Sequence, residues 1–323
     1  MCYIVNRLAK GVTVCIEALA FALFEKGDVV ITPTPTYARF YADFEERAGV
    51  KLIGFPLLEK YDFLMTAPKL ETFIKQLKND GNSVKGFLFC NPSNPLGEVY
   101  GLGLALELMK VCAKFQMHFL SDEVYAMSVY DTQAEFKSIL SIPSVPDPMR
   151  THFLWGMSKD LGIAGFRFGV IHTKNPDVLK VLSGMSIYIH IPAHIQELGA
   201  KMLEDKKWLE EVYFPNNLSR LKSNYDRFVI FLQSKHNMVV RKASAGFFIW
   251  ANFSRFLQKI TVEEEMKLFN LLFYKYKLYI IPGSQLSSNN PGWFRIVISI
   301  NETDLKEFEK RFDEFASSLS DEK

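Results

Sequence analysis

Cysteine is scarce in this chain: Cys2, Cys15, Cys90 and Cys112 are the four in 323 residues, and none has a paired spacing. That excludes a disulfide scaffold and a thiolate zinc site. The four read as small buried apolar residues in a reducing, cytoplasmic setting. An excess of one charge is also missing. The 38 Lys and Arg against 36 Asp and Glu leave a net +2, with no dense basic stripe, so no nucleic-acid partner is expected. No long hydrophobic run occurs. The early run 14–24 contains Glu17 and is too short to span a bilayer. Neither a secretory leader nor a basic amphipathic helix is legible, so no membrane partner is expected either. The six histidines (His118, His152, His172, His190, His194, His236) lack metal-ligand spacing and read as structural. Repeats and low-complexity tracts are absent.

What is present is ordinary globular material, long enough for two domains with a sizeable core. From residue 12 to about 173 the pattern alternates. Residues 12–24, 69–78 and 104–115 read as helices; 28–32, 85–90, 118–120, 151–155 and 166–172 read as strands. Such alternation predicts an α/β fold, a mostly parallel sheet sandwiched by helices. Leu218, Leu221, Tyr225, Phe228 and Leu232 then recur every three or four residues, predicting a long amphipathic helix after Pro215. Strands at 238–241, 246–252, 278–281 and 293–299, with helices from 262 to about 274 and from 303, complete a smaller α+β unit. The boundary is placed inside the long helix, giving a large domain over 1–225 and a small one over 226–323. Glu263-Glu264-Glu265 reads as a solvated helix start, favoured by the positive end of the helix dipole.

Three of the strands run into polar motifs: 91–97 reads NPSNPLG, 121–125 SDEVY and 156–169 GMSKDLGIAGFRFG. Asn-Pro is an ordinary turn former, but ligands of open parallel sheets bind beyond the strands' carboxyl ends. Three polar motifs at one such edge therefore mark a candidate site. In the third motif an amine (Lys159), a hydroxyl (Ser158) and a guanidinium (Arg167) fall within ten residues of sequence, a set suited to an aldehyde cofactor that carries a phosphate.

On these motifs, with PGWFRIVIS at 291–299 and weaker support from GVT (11–13), PTPTY (33–37) and AGFFIW (245–250), the chain resembles the class I/II aminotransferase superfamily of pyridoxal 5′-phosphate enzymes. Within it, the 1-aminocyclopropane-1-carboxylate (ACC) synthase-like proteins of animals are the nearest likeness. The resemblance covers essentially the whole chain and implies the fold type I architecture, pyridoxal 5′-phosphate as cofactor, an amino-acid substrate and a homodimer. It implies that Lys159 forms the Schiff base and moves the substrate Cα proton, and that Asp122 pairs with the pyridinium nitrogen. Asn94 and Tyr125 would bond the ring's phenolic oxygen, and Tyr37 would stack on the ring. Ser158, Arg167 and the backbone N–H groups of Val12 and Thr13 would hold the phosphate, and Arg295 the substrate carboxylate.

The sequence departs from the family pattern twice. Gly156 stands where a phosphate-binding serine is usual, so Gly156→Ser is expected to strengthen cofactor retention. Ten residues, opening on Met1-Cys2-Tyr3-Ile4-Val5, precede Gly11, where the family carries a much longer segment. The expectation is therefore a pyridoxal-phosphate protein acting on α-amino acids through Cα-proton abstraction, whether toward elimination or amino transfer, and weak or inactive in this form. Against it stands a catalytically silent homologue acting as a binding or dimerisation partner.

Overall fold

A computed structural model describes residues 7–318. Cys2 and the apolar opening at 1–5 lie outside them. The first layer is a seven-stranded sheet made of β1 (Arg7–Lys10), β2 (Val29–Thr34), β3 (Lys51–Pro56), β4 (Val84–Cys90), β5 (His118–Asp122), β6 (Thr151–Gly156) and β7 (Phe168–Thr173). Its order is β1-β7-β6-β5-β4-β2-β3. The pairs from β3 through β6 are parallel; β6–β7 and β7–β1 are antiparallel. Central strands such as β4, with Phe87, Leu88 and Phe89 wholly buried, read as near-continuous apolar runs because helices cover both faces. The helix Val12–Leu23 buries Cys15, Ile16, Leu19 and Ala20 on one face. On the other face Ala67–Asn79 buries Leu70 and Ile74, and Leu102–Lys114 buries Leu108 and Cys112.

The second layer system is a four-stranded antiparallel sheet of β8 (Val239–Arg241), β9 (Phe248–Asn252), β10 (Ile281–Pro282) and β11 (Trp293–Val297), in the order β10-β11-β9-β8. Phe228, Phe231 and Leu232 at the end of the long helix pack with Ile249, Phe253, Phe294, Phe312 and Phe315 in its core. Among the described residues no single helix is long and apolar enough to cross a membrane. The pair Pro176–Ile189 and Ala193–Glu204 has the composition together, but it is bent by 113°.

Several expectations are corrected. The strand expected over 166–172 begins at Phe168, because Ala164–Phe166 form a 3₁₀ turn and Arg167 takes a left-handed φ of 52°. The strand expected at 278–281 shrinks to the two residues that pair with β11. Strands β1 and β3, the helix Arg39–Glu45 and the pair Pro176–Ile189 and Ala193–Glu204 were not expected at all. The three glutamates at 263–265 are not one solvated group either. Glu265 is completely buried, and its carboxylate accepts the backbone N–H groups of Ser284 (2.8 Å) and Gly292 (2.6 Å). The fourth residue of that helix faces the β10–β11 connection, and those two N–H groups offset the cost of burying a carboxylate.

Candidate functional site

The three polar motifs meet because β4, β5 and β6 lie side by side in parallel register, with Cys90 opposite Asp122 and Asp122 opposite Leu154. Their carboxyl ends therefore open at one edge, and the loops interlock there. Asn91 N–H donates to the Asp122 carbonyl and Glu123 N–H to the Leu154 carbonyl, both at 2.9 Å.

Asp122 sits at the floor, 2 % exposed, and its Oδ1 accepts the Val124 N–H at 3.1 Å. Burial pushes its carboxyl up to about 7. The Val124 bond opposes this, Asp43 and Asp160 add to it, and Lys159 pulls back. Lys159 follows β6 on the short helix Met157–Asp160. The residue as a whole is exposed, yet lost hydration at its amine, then the charge of Arg295, draws that amine below the ordinary lysine value, against Asp122. Tyr125 is buried edge-on between Phe247 and Phe248, and burial drives its phenol well above the ordinary range. Tyr37, 39 % exposed, leans edge-on against Phe40.

Arg295 arrives from the second sheet. Its Nη1 donates to Asn94 Oδ1 at 3.0 Å, its guanidinium lies 5.5 Å from the centre of the Phe248 ring, and its Nε is buried without a partner. Asn94 and Arg295 are 201 residues apart in sequence, so this bond joins the two sheets across the cleft.

On the other side, Arg167 borders the opening turn of the helix Val12–Leu23, its guanidinium donating to the carbonyls of Ala164 (3.0 Å) and Lys10 (3.2 Å). Gly11 caps that helix at φ 89°, a backbone conformation that favours glycine, and a Cβ there would push the Arg167 guanidinium from its place. Val12 and Thr13 offer the free N–H groups of a helix start to the same corner, beside half-buried Ser158.

The donor set fits pyridoxal 5′-phosphate. A buried carboxylate poised near neutrality suits a pyridinium, an amine of lowered pKa stands nearby, and a guanidinium with a helix start offers donors to a phosphate. The hydroxyl missing at Gly156 is a different matter. Its backbone is extended (φ −168°), but a Cβ would lie 2.6 Å from the Phe168 carbonyl oxygen and 3.0 Å from Val12 Cγ2. The expected gain from Gly156→Ser is therefore withdrawn, because Gly156 pairs with Gly169 where β6 and β7 close to backbone contact.

Sequence reasoning missed Asp160, a completely buried carboxylate next to Lys159. Its place in the motif was the available signal; its partners were not legible.

The aminotransferase class I and II family profile matches residues 8–312. The chain is 33% identical over 303 residues to ACC synthase-like protein 1 of Mus musculus, covering 92% of this chain and 60% of that protein. It is 32% identical over 301 residues to the probable inactive ACC synthase-like protein 2 of Homo sapiens, covering 91% of this chain and 53% of that one. The chain thus spans between half and two thirds of the length of these relatives. The aromatic aminotransferase of Pyrococcus horikoshii has the same fold, with a TM-score of 0.83 at 20% identity over 97% of this chain and 79% of its own.

Proposed function

The chain belongs to the class I and II aminotransferase family, and from that footing we propose that it binds pyridoxal 5′-phosphate at Lys159 and acts on α-amino acids by removing the Cα proton. The observation that carries this reading is the convergence of the Lys159 amine, the Asp122 carboxylate and the Arg295 guanidinium on one cleft from three separate elements, with Arg295 bonded to Asn94. When bound, the cofactor supplies an aldehyde for an amine and a cationic ring that takes up the electrons freed at Cα.

This chain's residues do the rest. Arg295 grips the substrate carboxylate with two parallel donors and so aims the Cα–H bond. Lys159, its pKa lowered by burial, is neutral in a larger fraction near neutral pH than a solvated lysine and takes the proton. With the cofactor bound, Asp122 would pair with its ring nitrogen, Asn94 and Tyr125 would donate to its ring oxygen, and Tyr37 would stack on the ring. Arg167, Ser158 and the N–H groups of Val12 and Thr13 would hold its phosphate. The names of the relatives point to ACC synthesis and to amino transfer, and loss of the Cα proton is the step the two reactions share. The protein works as a homodimer, with a large unit over 1–225 and a small one over 226–323.

A second reading, a catalytically silent homologue acting by binding or dimerisation, draws on Gly156, where the phosphate-binding hydroxyl is absent and no side chain has room. One experiment tests both. Protein incubated with pyridoxal 5′-phosphate, reduced with borohydride and mapped should carry its tag on Lys159; a tag elsewhere, or none, overturns the first reading. Exchange of the Cα proton of bound amino acids for deuterium, followed by NMR, should then proceed, and its absence in tagged protein favours the silent homologue.

A further inference from the structure

Asp160 is a carboxylate to which the reading above gives no task. Its residue surface is 0 % exposed, and both oxygens are engaged: Oδ1 accepts Ser128 Oγ at 2.7 Å and Oδ2 accepts Trp155 Nε1 at 2.8 Å. Trp155 stands on β6, four residues before Lys159. Ser128 ends the turn that follows Tyr125, its N–H donating to the Tyr125 carbonyl at 3.0 Å. From Ser128 the contacts cross between the two sheets. The Ser128 carbonyl accepts the Gly246 N–H at 3.0 Å, and Val129 forms an antiparallel bridge with Ala245. Ser244 and Ala245 N–H groups donate to the Gly97 carbonyl, at 2.8 and 3.1 Å. Three residues after Ala245, Phe248 begins β9, where Trp250 is the partner of Arg295.

Burying a carboxylate is costly unless its oxygens are satisfied, and a site that only needed filling would take an apolar side chain more cheaply. Here the carboxylate joins two donors, one on β6 and one at the end of the turn after Tyr125, directly beside Lys159. The indole N–H can only donate, whereas a serine hydroxyl donates or accepts, so the link holds whether Asp160 is charged or neutral.

We propose that Asp160 is a positioning residue: through Ser128 and Trp155 it fixes the turn carrying Lys159 against the crossing at Ser128 and Gly246, and so sets the placement of the Lys159 amine relative to Arg295. The role of Lys159 rests on the function proposed above; the mechanical link does not. An asparagine at 160 keeps the link, giving its oxygen to Trp155 and an N–H to Ser128, while alanine leaves two donors stranded.

The test is trace labelling of amines with acetic anhydride across a pH series on the full chain, reading Lys159 against exposed Lys174 by peptide mass. In the parent, Lys159 should titrate below Lys174. Asp160→Ala and Ser128→Ala should move the Lys159 midpoint up toward that of Lys174, and Asp160→Asn should keep it near the parent's. With limiting pyridoxal 5′-phosphate, the borohydride tag on Lys159 should fall about tenfold in the two alanine variants and hold in Asp160→Asn. Alanine variants that are folded by circular dichroism yet label like the parent overturn the proposal, as does an asparagine variant that behaves like alanine. If Asp160→Ala does not fold, Ser128→Ala carries the test with one hydroxyl removed. A parent never tagged at Lys159 would sink the cofactor reading, and the anhydride labelling would still decide the role of Asp160.

Discussion

A Cβ on Gly156 would meet the Phe168 carbonyl oxygen at 2.6 Å, a backbone atom that cannot swing aside, with the Gly169 Cα at 3.5 Å behind it. Gly156→Ser should therefore destabilise the protein, by about 1–3 kcal/mol as in other overpacked sites. Thermal denaturation should show a lower midpoint, and an unchanged or higher one would mean that β7 yields. Arg295 presents the opposite situation, a side chain whose geometry is used rather than excluded. Its Nη1 is spent on Asn94 and its Nε has no partner, so only a planar guanidinium can hold Asn94 and still offer donors to a carboxylate. In Arg295→Lys loaded with cofactor, half-saturation of amino-acid-induced spectral changes should rise about tenfold or more, with the cofactor band itself unchanged. Equal responses in variant and parent would remove Arg295 from the carboxylate role.

Between elements, a histidine pair joins three strands far from the cleft. His118 Nδ1 on β5 and His152 Nε2 on β6 lie 3.0 Å apart, and His152 Nδ1 lies 2.9 Å from Thr173 Oγ1 on β7. Burial, then the Arg150 charge, pushes His118 down to about 4, against Asp147. Burial, then His118, pushes His152 down to about 3, again against Asp147. Both folded values lie below the unfolded one of about 6.5. The stability gained by keeping the rings neutral is complete above pH 6.5 and is lost as pH falls through 4 and then 3. Urea midpoints measured from pH 7 to pH 4 should fall less steeply in His118→Gln than in the parent, by at most about 1.4 kcal/mol per pH unit for the one proton removed. The raised carboxyls Asp122, Glu123 and Asp160 titrate in both proteins and cancel from the difference. Parallel acid limbs would show that His118 takes up its proton at the same pH in the folded and unfolded states.

For the molecule as a whole, the bend between Pro176–Ile189 and Ala193–Glu204 leaves large apolar groups in water: Ile187 is 69 % and Tyr188 73 % exposed. Exposed apolar corners of this kind favour contact with a second copy. Light scattering should give twice the 37.1 kDa chain mass, and Ile187→Glu should shift it to the single-chain value. A monomeric parent, or a dimeric variant, would contradict that surface. Periodicity alone foretold the helices at 12–24, 69–78 and 104–115 and the strands β2, β4, β5 and β6, since buried faces print their spacing on a local stretch of chain. Three polar motifs at strand ends likewise marked Asn94, Asp122 and Lys159 before any fold was drawn. Strands β1 and β3 escaped because each lies at a sheet edge and is defined by its partner more than by its own pattern. Only the tertiary structure could set Asn94 against Arg295, turn Glu265 inward, close β7 onto Gly156 and surround Asp160 with Ser128 and Trp155. A hydrogen bond or a clash depends on distances between residues that the chain's local rules leave free, and packing alone fixes those distances.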